Sequence, residues 1–538
     1  MIDAAPDLGW GRTWPQAEQF TEMAAHRRVV PVVRRLLADD VTPVGLYRQL
    51  TEGRPGTFIL ESAGADGAWS RWSFVGVNSR AVLSSYQGRA RWSGDVPVGI
   101  PRQGPILDVI RETLAHLHTP AIEGLPPLTG GLVGAMGWDV VRQWEPTLPA
   151  QALEELRVPE TCLCLVADLA AVDHGDGSVY LIANAINFDD TDERVEEAYA
   201  DAVQRLDAMQ AALMAPSRSA ALVQAAELPQ PELSFRTSKA DFLTGVEAAK
   251  EAIADGEVFQ VVLSQRLDLD CPADPLDVYR VLRTINPSPY MYYLNLADAD
   301  QMEFAVVGSS PETLVKVAGK EVTSFPIAGS RPRGQTPGQD KANAEELLAD
   351  PKERAEHIML VDLARNDLGR VCQAGTVAVV ELMEVIRYSH IMHMSSTVSG
   401  RLAAEATALD AFTATFPAGT LSGAPKTRAI ELIDELEPAR RGIYGGAAGY
   451  FDFAGDMDMA ITIRTALIKD GVASVQAGGG IVADSVPEAE YTESRNKAAA
   501  AVRAIQQAAG VRTASSAPGS RRDPRSSAEP SPGGDGRR

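Results

Sequence analysis

The chain has 538 residues, 45% of them hydrophobic, and its 72 acidic and 50 basic side chains give a formal net charge of −22. That balance argues against sequence-independent nucleic-acid binding, which needs clustered Lys and Arg to neutralise phosphates. Its longest apolar runs, such as 162–167 and 258–263, fall far short of the roughly 20 residues that span a bilayer. Cys162, Cys164, Cys271 and Cys372 form no CxxC pair, so neither a disulfide framework nor a zinc knuckle is expected. Residues 1–19 lack the basic-then-apolar pattern of a secretory leader. The expectation is a soluble, cytoplasmic protein of a reducing compartment.

In chain order, short alternating runs at 57–61, 71–77 and 81–86, separated by Gly and Pro, predict a sheet-rich N-terminal region. The apolar positions Val195, Tyr199, Val203, Leu206 and Met209 predict a helix over 192–214, and the proline-containing stretch 214–235 that follows marks a boundary. Ser238 and Asp241 form a capping pattern ahead of Phe242, Val246, Ala249 and Ile253, the spacing of one helix face. That helix ends at Asp255-Gly256, and residues 258–266 read as a strand. On it Gln260, Ser264 and Arg266 share one face, while Phe259, Val261 and Leu263 share the other. Asp350-Pro351-x-Glu353 opens a further helix through Glu356 and His357 towards Leu363, and a last helix starts near Pro487. Residues 511–538, rich in Pro, Ser and Gly with six arginines against three acids, cannot bury enough surface to offset ordering entropy and read as a disordered tail.

Two constellations carry chemistry. A loop at 454–456 and another at Asp470-Gly471 suggest hairpins; pairing Phe453 with Met457 and Lys469 with Val472 puts Arg464 opposite Gly446 on one side and Ala477, beside Gly478, on the other. An arginine among bare backbone suits a small carboxylate or phosphate, although the glycines could equally mark bulges around a solvated arginine. Glu490 and Glu493, three apart on one helix face with Lys497 one turn on, and Glu356 on its own helix are candidate magnesium ligands; an exposed Glu–Lys pair is the plainer alternative. His357, His390 and His393 show no zinc spacing. The glycine clusters match neither GxGxxG nor GxxxxGK[ST], and 419–426 is only superficially like a phosphate loop. The residues alone therefore indicate an anionic small-molecule site with Mg²⁺.

Read together, NPSPYM (286–291), SSPETLVKV (309–317), PIAGSRPRG (326–334), DPKERAEHIMLVDLARNDLGRV (350–371), MHMSS (392–396), GTLSGAPK (419–426), YGGAAGYF (444–451), IRTAL (463–467), QAGGGIVADS (476–485) and ESRNKA (493–498) resemble the chorismate-utilising enzymes, most closely the anthranilate synthase component I family. The resemblance spans about 42–509. It implies an α+β fold: a large domain of two packed antiparallel sheets flanked by helices, with an N-terminal α+β region carrying regulation. The implied organisation is an extension over 1–40, an N-terminal domain over 41–213, a linker over 214–236, a chorismate-binding catalytic domain over 237–510 and the tail from 511.

It implies a reaction as well: ammonia adds at C2 of chorismate, the C4 hydroxyl leaves, and pyruvate elimination gives anthranilate, the first committed step towards tryptophan. By the same resemblance Glu356 and Glu493 hold Mg²⁺, with Lys497 supporting Glu493. Arg464 and Tyr444, with Gly478, Gly479 and Gly480, hold the enolpyruvyl side, and Gly329 and Ser330 line the site. Glu312 is the implied general acid, since hydroxide is too basic to leave unprotonated, and His393 assists acid–base steps. Gln260 stands where isochorismate and salicylate synthases carry a water-activating lysine, and Ala328 where aminodeoxychorismate synthases carry theirs; both differences favour ammonia attack at C2. Ser330 replaces the family's threonine and Gly479 its alanine. None of the four cysteines sits at a strand-to-helix elbow, so ammonia would come from a separate glutamine amidotransferase subunit; the resemblance implies a heterotetramer of two large and two small subunits. Ser62 and Arg71, with Pro289, Tyr290 and Met291, correspond to an allosteric L-tryptophan pocket. An aminodeoxyisochorismate synthase, an aminodeoxychorismate synthase and a non-catalytic tryptophan-binding protein are the alternatives.

Overall fold

The computed structural model describes residues 5, 8–63, 71–216, 221–224, 231–388 and 391–513. His390 and the expected tail beyond 513 lie outside them. Within these residues every strand ladder is antiparallel, and apart from the short pair of Leu222–Gln224 with Val511–Thr513 the strands form one continuous network; it divides into two branches, the first and second sheets below, at two long strands, Trp72–Tyr86 and Thr161–Asp173. These two run side by side from Trp72 opposite Asp173 to Ser85 opposite Thr161, with register shifts between Gly76 and Ala81. The shifts divide the neighbours. On the Trp72–Asp173 side of them, Asp168–Asp173 pairs with Ser178–Ile186 and Phe74–Gly76 with Phe58–Leu60. On the Ser85–Thr161 side, Thr161–Val166 pairs with Gly131–Met136 and Ala81–Tyr86 with Arg89–Gly94. Bulges bend a strand and increase its twist, which is how one pair of strands feeds two sheets.

The first sheet continues from Thr57–Glu61 through Tyr290–Ala297, Glu303–Ser310, Thr465–Lys469 and Val472–Ile481 to Gln260–Asp270. The second continues from Gly131–Met136 through Ala447–Asp452, Met457–Ile461, Thr313–Ala318 and Glu321–Ser324 to Ile391–Arg401, which Ile327–Pro332 and Ala378–Arg387 flank. Residues of both, among them Ile59, Tyr292, Leu294 and Val306 from the first and Val133, Cys164, Ala448 and Ala460 from the second, belong to one buried cluster. Helices Pro275–Ile285 and Pro487–Ala509 pack together beside the first sheet, and Ala408–Thr415 packs on the second. This is the expected α+β class with packed antiparallel sheets.

Local signals place most elements well. Ser238 caps Lys239–Ala254 by accepting from the Asp241 N–H at 3.1 Å, and Asp350 caps Pro351–Gly369 through Lys352 and Glu353. The helix predicted over 192–214 begins at Val195, and the two runs predicted at 71–77 and 81–86 are one strand.

Four expectations differ. The strand predicted from 258 begins at Gln260, leaving Phe259 75% exposed rather than packed beside Val261 and Leu263. The segment taken as an N-terminal extension supplies Val29–Leu37, which pairs along the whole of Ser178–Ile186. The first residues taken as tail, Val511–Thr513, pair with Leu222–Gln224 in the expected linker. Finally, Met457 pairs with Phe451 and not with Phe453, so Gly446 lies beside Thr462, whose N–H it accepts at 2.9 Å, and not opposite Arg464. The single strand expected through Arg464 is two strands in different sheets.

One buried ion pair ties these parts together. Arg441 donates to Glu437 (2.6 and 2.9 Å), to the Leu421 carbonyl (2.7 Å) and to the Val262 carbonyl (2.8 Å), and its guanidinium lies 4.3 Å from the Trp138 ring centre. Glu437 in turn accepts from the Ser264 N–H and hydroxyl. Arg441→Ala strands a buried carboxylate and is expected to cost about 3–5 kcal/mol, measured as a fall in the urea midpoint at pH 7.

Candidate active site

Glu312 and Arg464 sit where two neighbouring strands cross together from the first sheet to the second. One strand runs to Ser310, and its continuation starts at Thr313; the other ends at Ile461 in the second sheet and resumes at Thr465 in the first. Backbone bonds lock the crossing: the Ile461 N–H donates to the Glu312 carbonyl at 3.0 Å and the Ser309 N–H to the Arg464 carbonyl at 3.3 Å. Arg464 has φ +50°, the left-handed region that residues with side chains rarely adopt. Its half-buried guanidinium makes no ion pair or side-chain hydrogen bond among the described residues. Burial lowers its pKa, with nearby Glu312 opposing. The Glu312 carboxyl is pushed up by burial, partly offset by the Thr420 hydroxyl, which donates at 3.0 Å, and by Arg464 and Lys497.

His393 lies on Ile391–Arg401 opposite Ser330. Its Nδ1 is 3.0 Å from the Gly329 carbonyl, which can only accept, so Nδ1 carries the proton and Nε2 keeps its lone pair, buried and without a hydrogen-bond partner among the described residues. Burial holds the imidazole down at about 4, with Arg464 acting the same way. Gly329 has φ +70°, and an added Cβ would stand 2.9 Å from Glu353 Oε2, so only glycine suits the position. Tyr444 is buried; its phenol is pushed up by burial, and it bonds the Gly478 backbone. Gly478, Gly479 and Gly480 lie opposite Ser264, Leu263 and Val262. A side chain at Gly480 would collide with the Gln260 amide, and a methyl at Gly479 would reach Glu490 Oε2 at 3.1 Å and Glu493 Oε1 at 3.6 Å.

The other wall is carboxylate. Burial raises the pKa of Glu356, and Glu353 and Glu493 add to it by repulsion, with Lys352 and Lys497 opposing. Glu490 is raised the same way and accepts from Ser485 at 2.7 Å. Lys497 lies 2.8 Å from Glu493 and donates to the Gly478 carbonyl at 3.1 Å. No three His, Cys, Asp or Glu side chains among the described residues form a complete metal cage. Magnesium, however, keeps several waters and takes one or two protein carboxylates plus substrate oxygens. Glu356 and Glu493, mutually repelling and drawn from two helices, fit that donor set.

Electrostatic and hydrogen-bond neighbours link many of the expected residues pairwise: Arg464 with Glu312 and His393, Tyr444 with Glu312 and Gly478, His393 with Gly329, and Glu356 with Glu493 and Lys497. Thr420 escaped sequence reasoning; its only signal was membership of the segment 419–426. The five residues expected to bind tryptophan meet elsewhere, in a separate cavity of about 490 Å³ lined also by Trp72, Phe74, Lys316, Phe325, Tyr450 and Asp458. Arg71 reaches it already paired with Asp173 at 2.9 Å.

The model of the chorismate binding enzyme family matches residues 56–503. The chain belongs to that family, in its anthranilate synthase component 1 branch. It is 56% identical over 500 residues to anthranilate synthase component 1 of Arthrobacter globiformis, covering 92% of this chain and 94% of that one. It is 54% identical to the component 1 of Mycolicibacterium smegmatis, over 91% of this chain and 94% of that one. The solved component I of Streptococcus pneumoniae superposes with a TM-score of 0.70 at 36% identity, over 81% of this chain and 92% of that one. The menaquinone-specific isochorismate synthase of Escherichia coli shares the fold at TM-score 0.67 and 20% identity, over 91% of this chain and all of that one.

His393 makes acid stability a property of this family member that can be measured. Its folded pKa is below the unfolded value, so the fold favours the neutral ring; the stabilisation is complete above about pH 6.5 and is lost as pH falls towards 4. His393→Gln is expected to flatten urea-midpoint loss between pH 6.5 and 4 relative to the unsubstituted protein.

Proposed function

We propose that this chain is the large, chorismate-consuming subunit of an anthranilate synthase, aminating chorismate at C2 and releasing pyruvate. The observation that carries the proposal is the half-buried Arg464, without an ion-pair partner among the described residues, near the Glu312 carboxyl, whose pKa burial raises. Such a pair binds a carboxylate and delivers a proton to a departing hydroxyl.

Bound Mg²⁺, held by Glu356 and Glu493, would supply charge neutralisation for the ring carboxylate. Arg464 and Tyr444, with the N–H groups of Gly478–Gly480, grip the enolpyruvyl carboxylate. Ammonia attacks C2 as the ring double bonds shift and the C4–O bond breaks; Glu312 gives its proton to the leaving oxygen, which departs as water. The Thr420 hydroxyl keeps the acid pointed at that oxygen. In the second step the C2 hydrogen leaves as a proton, the C3–O bond breaks, and enolpyruvate departs to become pyruvate while the ring aromatises. His393 supports this step with a lone pair on Nε2 that no protein group occupies. Gln260, buried against Gly480, carries no base to activate water, and Ala328 offers no amine, which favours ammonia at C2.

Ammonia supply follows from the thiols. Cys162, Cys164 and Cys271 are buried, and burial raises each thiol, Cys164 to about 12, so none is a ready nucleophile. We assign glutamine hydrolysis to a separate glutaminase subunit, in a heterotetramer, and place the complex in the cytoplasm; no helix among the described residues is long and apolar enough to cross a membrane. The aromatic cavity with Lys316 and Asp458 in its wall suits a zwitterionic aromatic amino acid, and we assign it to feedback inhibition by L-tryptophan.

Three outcomes are expected. The purified chain with chorismate, ammonium and Mg²⁺ yields fluorescent anthranilate and equimolar pyruvate; a non-aromatic amino acid without pyruvate would make it an aminodeoxyisochorismate synthase. Glutamine in place of ammonium gives no product from the single chain. Glu356→Gln or Glu493→Gln abolishes turnover with the circular dichroism spectrum retained, and near-normal rates in Mg²⁺-limited assays would remove both from the metal site.

A further inference from the structure

The cavity assigned to tryptophan and the small cavity lined by Glu312 adjoin at Phe325, which lines both, and the Tyr290 hydroxyl makes a second link between them. The Tyr290 side chain lines the cavity. Its O–H donates to Asp458 Oδ1 at 2.8 Å, and its oxygen lies 2.9 Å from Thr313 Oγ1. Because the tyrosine proton is committed to Asp458, Thr313 must be the donor in the second bond, giving a directed chain from Thr313 through Tyr290 to Asp458. Thr313 follows Glu312 directly in sequence and does not line the tryptophan cavity; it lines the small adjoining cavity with Glu312 and Thr420. Across the ladder it pairs with Ala460, next to Ile461, which holds the Glu312 carbonyl. The far end of the chain is charged: Asp458 pairs with Lys316 at 3.2 Å, and both face the cavity. An amino acid entering there brings an ammonium and a carboxylate to compete for Lys316 and Asp458, the partner that orients the Tyr290 hydroxyl. Burial and Asp458 raise the phenol well above its usual range, so Tyr290 stays a donor at neutral pH.

We propose that Tyr290 is a positioning residue shared by the two sites, its hydroxyl holding Thr313 and hence Glu312, so that an amino acid in the cavity acts on the catalytic acid through this bond. This rests on the reading of the cavity as a tryptophan site. Inhibition then comes from moving Glu312 relative to Arg464 at the strand crossing, without the effector reaching the chorismate cleft.

The test separates binding from coupling. Tryptophan binding is measured by isothermal titration calorimetry with and without saturating chorismate, using protein held inactive by omitting ammonium and glutamine. The ratio of the two dissociation constants is the coupling, which by linkage equals the factor by which tryptophan weakens chorismate binding. For the unsubstituted protein a ratio of roughly 5–150 is expected. In Tyr290→Phe, which retains the ring and removes only the hydroxyl, tryptophan should still bind within about threefold while the ratio falls towards unity. Thr313→Val, outside the cavity, should lower the ratio equally, and Thr313→Ser, which restores the hydroxyl, should recover it. A merely structural role would change expression and unfolding midpoint without moving the ratio. Wild-type coupling in both Tyr290→Phe and Thr313→Val overturns the proposal while leaving the tryptophan site standing. An unsubstituted protein that binds no tryptophan overturns the site and the proposal with it.

Discussion

The site depends on two strands that leave one sheet and enter the other at the same level. A single crossing strand would leave its bent backbone unpaired, and buried orphan amides are costly. Crossing side by side, the chains at 309–313 and 461–465 satisfy each other: Ile461 donates to Glu312 and Ser309 to Arg464. The bend costs Arg464 a left-handed backbone, and the ladders on both sides, from Thr465 opposite Gly308 to Ala460 opposite Thr313, hold it there. An acid and a base-strength cation are thereby fixed in neighbouring positions by main-chain bonds, while their side chains remain uncommitted to each other as a tight ion pair.

That arrangement leaves unmet electrostatic demand in opposite senses within one cleft. Arg464 is partly desolvated and pairs with no carboxylate among the described residues; Glu356, Glu490 and Glu493 crowd each other with lysines as partial relief. In the proposed function, one carboxylate of chorismate would meet the arginine and the other would share a metal with the glutamates. The glycines at 478–480 keep this space open, since each is pressed closely by Leu263, Glu490 or Gln260. Rigidity is supplied from behind by the Arg441–Glu437 pair, whose guanidinium also faces the Tyr444 ring at 5.4 Å.

Local chemistry was legible in the sequence where it acts locally. Ser238 and Asp350 declared their helices because a cap needs only three or four neighbours, and the hairpin at Asp470-Gly471 delivered the register of Lys469 with Val472. Arg464 was recognised as important, but for the wrong neighbour: the loop after Asp452 is longer than counting from 454–456 implied, and a two-residue slip preserves the side-chain parity that sequence pattern reports. Nothing in a period-two pattern reveals that a strand changes sheets, because both halves keep alternating. Thr420 was invisible for a related reason, since its partner Glu312 is 108 residues away and a hydroxyl has no periodicity. The gathering of the motifs became readable only through resemblance, which carries long-range proximity that composition and spacing do not.

The interleaving of early and late strands sets a clock on biosynthesis. Thr57–Glu61 cannot complete its pairing until Tyr290–Ala297 has been made, and Gly131–Met136 waits for Ala447–Asp452. At about 5–20 residues per second on the ribosome, each wait lasts on the order of ten seconds to a minute. Through that interval the edges of the nascent sheets are unpaired and apolar, the condition under which strands find wrong partners. The first part of this chain is therefore not a module that folds and then receives a catalytic unit. It emerges as an unfinished surface, and a ribosome stalled midway would leave half of each sheet rather than a finished domain.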